Sequence, residues 1–347
     1  MRESAKSVVM PQAGTTARMF LLTEMQPDRR TILKMMLAAT TAVTVADSAT
    51  AAAQVKWSSG AEPPQLKAPA GACDCHHYIY NLGYPIDRRG IAFPGDASIA
   101  DYRALQRRLR IARHVVVQPS TYGLDNRTTL AAIAAFGPEA RGVVVVDDRI
   151  PDAELRRMHE LGVRGIRFNF APAGPTTTAM IEPLARRIVD LGWHVEVNAW
   201  AAVLPALVPI LARVPSAVVL DHLGHIPEPE GVRHPNFAMV RRLIGNGRTW
   251  VKLAAPYDAT KIGPPSYADS SALARAYVDI APERVVWGSN WPHPGEDPKP
   301  DDALLFDLLL AWAPDERTRH RILVENAAAL YDFPREPVTA VSASPPI

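Results

Sequence analysis

From Leu66 onward the chain alternates short apolar runs with amphipathic segments, and this rhythm limits the fold more than any single motif. The apolar runs, each bounded by Gly, Pro or charge, are 72–80, 114–118, 142–146, 165–170, 194–198, 217–221, 250–254 and 285–288. Their lengths and boundaries predict buried strands. Between them, 99–109, 128–135, 152–161, 178–191, 204–213, 237–245 and 266–280 carry helical periodicity, with 302–311 and 314–331 after the last strand. Strict alternation predicts a parallel sheet joined by crossover helices. Eight such units in about 265 residues match the size of a closed α/β barrel. The expected fold class is therefore α/β, a single (β/α)8 TIM barrel over residues 70–335. An open doubly wound sheet is the competing architecture, but no G-x-G-x-x-G turn follows the first strand.

The first 53 residues read differently. Asp28-Arg29-Arg30-Thr31-Ile32-Leu33-Lys34 resembles a twin-arginine export signal, with Asp for the usual Ser or Thr and Ile for the usual Phe. The weakly apolar run 35–45 that follows is too short to span a bilayer as a mature helix. Ala51-Ala52-Ala53 then offers small residues for cleavage. That order of features implies that residues 1–53 are removed and that the mature protein is periplasmic, with Met25 a candidate start. The competing reading is an unstructured Ala/Thr-rich tail with an accidental Arg pair on a cytoplasmic protein. Residues 54–69 are expected to be a linker and 336–347 a disordered tail.

The chain has 38 Lys and Arg against 36 Asp and Glu, a net charge of +2. Such a balance gives no basis for binding nucleic acid or an acidic membrane surface in the mature form. A homo-oligomer is allowed but not specified. The two cysteines, Cys73 and Cys75, sit two apart on one expected strand. Their Cα atoms would be roughly 6.5–7 Å apart, at or beyond disulfide range. Small buried strand residues explain them better than a C-x-C metal pair.

Alternate side chains on a barrel strand point inward, so parity assigns faces. Asp74, His76 and Tyr78 share one face of strand 1; Arg167 and Asn169 share one on strand 4; His194, Glu196 and Asn198 share one on strand 5. Gln118 ends strand 2 and is expected to aim at the mouth or to cap a loop. An inward Arg at a barrel rim needs an anion, so Arg167 is expected to hold either a substrate carboxylate or a neighbouring loop carboxylate. His222, just past strand 6, is the candidate general base. Lys252 on strand 7 is expected to be paired inside the barrel, with Asp74 the candidate partner.

Several strand-end motifs together resemble the amidohydrolase-related family. Trp287-Gly288-Ser289-Asn290-Trp291-Pro292-His293 matches its W-G-(S/T)-D-W-P-H with Asn290 at the Asp position. Asp74-Cys75-His76-His77-Tyr78 matches D-x-H-x-H with Tyr78 at the second His. Asp221-His222-Leu223-Gly224 matches D-H-x-G, and Val251–Tyr257 is similar to V-K-L-S-G-x-Y. The resemblance spans the whole barrel and is nearest to a lactone-processing branch whose hydrolases and isomerases work without a metal. It implies no cofactor and no metal, since a phenol and an amide stand at two of the family's ligand positions. His222, Asn290 and His76 are then the expected catalytic residues. Tyr78, Gln118, Arg167, Asn169, Tyr257 and His293 are the expected substrate contacts. The implied reaction is opening of a small anionic lactone, from a sugar acid or a dicarboxylate, with hydrolysis ahead of isomerisation. A non-catalytic sugar-acid binding barrel is the reading from a different class, and turnover of a lactone panel separates the two.

Overall fold

The structure is a computed structural model that describes residues 54–171 and 174–334. Eight parallel strands lie in the order of the chain: β1 Cys73–His77, β2 Arg113–Val117, β3 Ala140–Val144, β4 Val163–Asn169, β5 His194–Asn198, β6 Val218–Leu220, β7 Thr249–Leu253 and β8 Val285–Trp287. The helices are α1 Ile99–Leu109, α2 Arg127–Phe136, α3 Asp152–Glu160, α4 Ile181–Ile188, α5 Leu204–Leu211, α6 Pro235–Gly245, α7 Ala268–Ile280 and α8 Asp302–Trp312. Helices α9 Glu316–His320 and α10 Asn326–Tyr331 end the barrel, joined by a π-helical turn over Arg321–Glu325. The fold is a nearly closed (β/α)8 barrel with one helix layer outside the sheet. Strands are buried on both faces, which is why they read as continuous apolar runs rather than as alternating ones.

Closure between β1 and β8 is made just past the end of β8. The Asn290 N–H donates to the His76 carbonyl at 2.8 Å, and the Tyr78 N–H to the Trp291 carbonyl at 2.9 Å. A Cβ on Gly288 would lie 2.6 Å from the Cβ of His76, so only glycine lets the strands approach this closely. Asp74 clamps the joint, accepting from the Ser289 hydroxyl at 2.6 Å, the Ser289 N–H at 2.9 Å and the Tyr102 hydroxyl at 2.9 Å.

The structure corrects several expectations. The β1–β2 register shifts between Asp74 and His77. The irregularity breaks strict alternation and turns Asp74 toward Tyr102 and Ser289, so it is not the partner of Lys252. Strand 1 ends at His77, and Tyr80 forms an isolated antiparallel bridge with Ala97. The segment expected as one helix over 178–191 is α4 flanked by short 3₁₀ turns. Residues 54–69, expected as a linker, lie against the barrel. Val55 and Leu66 are buried, Asp307 accepts from the N–H groups of Gln65 and Leu66, and Trp291 donates its indole N–H to the Lys56 carbonyl. The twin-arginine motif, the cleavage site and the 336–347 tail lie outside the described residues. No helix among the described residues is long and apolar enough to cross a membrane.

Candidate active site

Four buried charges form the floor of the C-terminal mouth. Arg167 from β4 contacts Asp221 Oδ2 through Nε at 3.0 Å and Nη2 at 2.9 Å, and Glu196 at 3.4 Å. Lys252 from β7 pairs with Glu196 at 2.5 Å and with Asp221 at 3.4 Å. All four are at most 2% exposed. Burial alone would raise both carboxyls. Lys252 outweighs this at Glu196, and Lys252 with Arg167 does so at Asp221, so both stay below the ordinary carboxylate range. The set is neutral overall, and removing one member would strand a buried charge at a cost of about 3–5 kcal/mol.

Proton positions follow from this floor. The Lys252 ammonium sits 3.0 Å from His76 Nδ1, and an ammonium can only donate. His76 Nδ1 is therefore a bare acceptor, and its proton is on Nε2, 2.7 Å from the Tyr78 hydroxyl. Burial, with Lys252 adding repulsion, lowers His76 to about 4, so the ring is neutral. Tyr78 oxygen accepts from His76 Nε2 and from Arg167 Nη2 at 3.3 Å. Both lone pairs are then engaged, and the phenol proton is left for a third partner. Tyr78 lines the cavity, and burial keeps it protonated by pushing its pKa up.

A second relay runs along the strand-8 side. Asp302 Oδ2 lies 3.1 Å from His293 Nε2, and His293 Nδ1 lies 2.8 Å from the Tyr257 hydroxyl. A carboxylate can only accept, so Nε2 carries the proton and Nδ1 accepts from Tyr257. Tyr257 oxygen in turn accepts from Asn290 Nδ2 at 2.9 Å. Asn290 Oδ1 is left as a buried acceptor without a partner among the described residues, on a side chain that lines the cavity.

The turn after β6 presents two imidazoles. His222, Leu223, Gly224 and His225 all have positive φ, at 48°, 55°, 70° and 47°. Left-handed backbone costs a non-glycine residue roughly 1–2 kcal/mol, so this turn stores strain at the site. Ala255, Asn290 and His293 add positive φ on the neighbouring loops. His222 Nδ1 and His225 Nδ1 are buried and have no partner among the described residues. Burial, with repulsion from His76, pushes His222 well below 6.5; burial lowers His225 to about 4. The cavity, about 330 Å³, is walled by Tyr78, Arg167, Asn198, His222, Asn290 and Asp258 among others. That volume is at the small end for ligand sites.

Of the expected site residues, Tyr78, Arg167, Asn169, His222, Tyr257 and Asn290 line this cavity. His76 and His293 are fully buried behind Tyr78 and Tyr257 and act through them. Gln118 is corrected: its amide accepts from Thr129 and donates to the Asp125 carbonyl, which holds the β2 loop. Arg167 lines the cavity and meets carboxylates of the protein itself, the second of its two expected partners, though Glu196 comes from β5 and Asp221 from the end of β6 rather than from a loop. Sequence reading missed Asp258, His225, Glu296 and Trp200 as cavity residues. The second imidazole of His222-Leu223-Gly224-His225 and the carboxylate directly after Tyr257 were the available signals. Trp200, 49% exposed, sits edge-on to His225 at 4.6 Å.

The family's metal chemistry can be tested against these donors. His76, Asp221 and His222 have candidate ligand atoms within 4.8 Å of one another. Yet His76 Nδ1 faces Lys252, its Nε2 proton faces Tyr78, and Arg167 covers Asp221 Oδ2. A divalent ion there would sit against two fixed cations, so the set does not fit one. His222, His225 and Asp258 form a second group of donors whose ligand atoms lie within 4.8 Å of one another, with His225 Nδ1 and Asp258 Oδ2 3.9 Å apart.

A (β/α)8 barrel whose strand ends gather histidines, a buried carboxylate and a lysine around one mouth is an enzyme scaffold of the amidohydrolase superfamily. Residues 73–333 match the family model described as Amidohydrolase, and the chain belongs to that family. It is 38% identical over 293 residues to the 2-pyrone-4,6-dicarboxylate hydrolase of Comamonas testosteroni, covering 81% of this chain and 96% of that one. It is 35% identical over 273 residues to the D-galactarolactone isomerase of Agrobacterium fabrum, covering 77% of this chain and 93% of that one. An apo crystal structure from Agrobacterium tumefaciens is similar with a TM-score of 0.75 at 33% identity, covering 81% of this chain and 100% of that one.

Proposed function

We propose that this enzyme opens a small, oxygen-rich anionic lactone with water, without a metal. The observation that carries this reading is the Tyr78 phenol: His76 and Arg167 both donate to its oxygen, and its own proton is free in the cavity. Ester opening needs a donor for the developing oxyanion. A phenol polarised by a guanidinium supplies one where the family's second ligand histidine would be. His222, neutral and unpartnered at Nδ1, is the imidazole beside it.

The relatives named above act on lactones, which supports the substrate class. Charge favours a sugar-acid lactone with one carboxylate over a dicarboxylate. Arg167 is the only Lys or Arg among the described residues lining the cavity, and it already meets two carboxylates. Isomerisation is the second reading, and the unpartnered Asn290 Oδ1 favours it: a bare amide oxygen accepts from a substrate hydroxyl and can aim it at the carbonyl. An NMR product assay on a panel of aldaric and aldonic lactones tests both, since ring-opened acid marks hydrolysis and a second lactone marks isomerisation. Tyr78→Phe should lower kcat about 10²–10³-fold with little change in KM. Unchanged kcat in that variant would remove the phenol from the chemistry.

A further inference from the structure

Asn290, just past β8, carries an amide that cannot take a proton, so a hydrolase with this mouth needs a base from elsewhere. We propose that Asp258, backed by His225, is that base, moved from strand 8 to the loop after β7. This rests on the lactone-hydrolase reading above.

The His225 tautomer is fixed by a chain of amides that starts at the backbone. The Ala171 N–H donates to Asn169 Oδ1 at 3.2 Å, so that atom is an oxygen. Asn198 Nδ2 donates to the same oxygen at 3.2 Å, which turns Asn198 Oδ1 toward His225 Nε2. An amide oxygen can only accept, so Nε2 carries the proton and Nδ1 is bare. Nδ1 is buried, has no other partner among the described residues, and faces Asp258 Oδ2 at 3.9 Å. Asp258 itself lines the cavity and is open to solvent.

The groups facing Asp258 set its protonation. His225 and His222 come from the turn after β6, Asp221 from the end of β6, Tyr257 from its own loop and Glu296 from the loop after β8. Burial, then Glu296 and Asp221, push the Asp258 carboxyl up, and its exposure to solvent moderates that rise. A carboxyl raised toward neutral pH can take a proton and return it within one cycle.

The step balances as follows. Water oxygen bonds to the lactone carbonyl carbon, and its proton goes to the Asp258 carboxylate, whose new O–H then donates a hydrogen bond to His225 Nδ1 as the 3.9 Å gap closes. The carbonyl electron pair moves onto oxygen beside the Tyr78 hydroxyl. The tetrahedral intermediate collapses, the ring C–O bond breaks, and the leaving alkoxide takes the proton from Asp258. The product is the hydroxy acid, and nothing is oxidised or reduced.

The test uses the whole protein, the lactone panel and a pH series. Asp258→Asn should cut kcat about 10²–10⁴-fold and abolish the rising limb of the pH profile near neutrality, while the far-UV spectrum stays unchanged. Asp258→Glu should recover part of the rate. His225→Asn should lower kcat less and move the limb toward lower pH. Rates within threefold of wild type in Asp258→Asn, or activity lost on chelation and restored by Zn²⁺, overturn the proposal. If wild type opens no lactone, the functional reading fails instead. NMR of labelled His225 and of the Asp258 carboxyl then decides the pair alone. A protonated Nε2 and a carboxyl titrating well above 4 support it; an ordinary carboxyl pKa or a protonated Nδ1 overturns it.

Discussion

Asn290→Asp is the substitution with the most to say, because it replaces the only donor to the Tyr257 oxygen among the described residues. In the native relay Tyr257 gives its proton to His293 Nδ1 and receives one from Asn290 Nδ2. A carboxylate at that position accepts only, so it and His293 Nδ1 compete for a single phenol proton. One buried acceptor then goes unpaired, at a cost of about 1–3 kcal/mol. Protonating the new carboxyl relieves the conflict, because a carboxylic acid can donate to Tyr257 as the amide does. Its folded pKa should therefore lie about 1–2 units above the ordinary value near 3.9. A carboxyl raised on folding leaves stability intact below its unfolded pKa and loses it as pH rises through the folded one. Urea unfolding of variant and wild type should differ by about 1–3 kcal/mol at pH 8 and by less than about 0.5 kcal/mol near pH 4. Equal stability at pH 8 would mean that the amide does not donate to Tyr257. An equal deficit at both pH values would point to sterics. In the product assay, an attacking water predicts that the variant keeps or gains hydrolysis. An attacking substrate hydroxyl predicts loss of isomerisation, with ring-opened acid leaking out.

The other predictions are simpler. His222→Ala should lower kcat less than Asp258→Asn does, because Asp258 carries the proton in the proposed step; an equal or larger loss would make His222 the base instead. Ala255 has a φ of 49°, where the related motif carries glycine, so Ala255→Gly should stabilise the fold by about 0.5–1 kcal/mol in urea unfolding. Changing Arg29 and Arg30 to Lys should hold precursor in the cytoplasm in a fractionation assay, and normal processing of that variant would reject twin-arginine export.

The barrel was legible because strand burial and helix periodicity are local signals. Helix α1 starts and ends where its pattern does, since Ser98 and Asp101 form a capping box and Arg110 terminates it in left-handed backbone. What parity could not show was the register shift in β1, which turned Asp74 away from Lys252. Lys252 found Glu196 and Asp221 instead, contacts 56 and 31 positions away in sequence that only closure of the barrel creates. Asp258 and His225 were illegible for a related reason. Nothing in a loop carboxylate beside a tyrosine announces a partner brought near by four residues of left-handed backbone.

Tyr78 and Asn290 make sense as a pair rather than as two losses. Histidine and aspartate at those positions would each offer a lone pair toward the centre of the mouth, and lone pairs converging in a buried site call for a cation. Here Lys252 already supplies a cation from below, and it fixes His76 as an acceptor on that side. The proton displaced to His76 Nε2 needs a partner that can accept it and still donate onward. A hydroxyl does both, and an imidazole at position 78 could take the proton but could pass one on only from its other nitrogen. On the opposite wall the same logic runs in reverse, from Asp302 through His293 and Tyr257 to an amide that ends in a bare oxygen. One wall therefore delivers a proton to the cavity and the other delivers a lone pair. Both directions start from buried charges, Lys252 behind His76 and Asp302 behind His293. This is the polarity an ester carbonyl and an attacking hydroxyl or water require, and it is held in place before any substrate arrives.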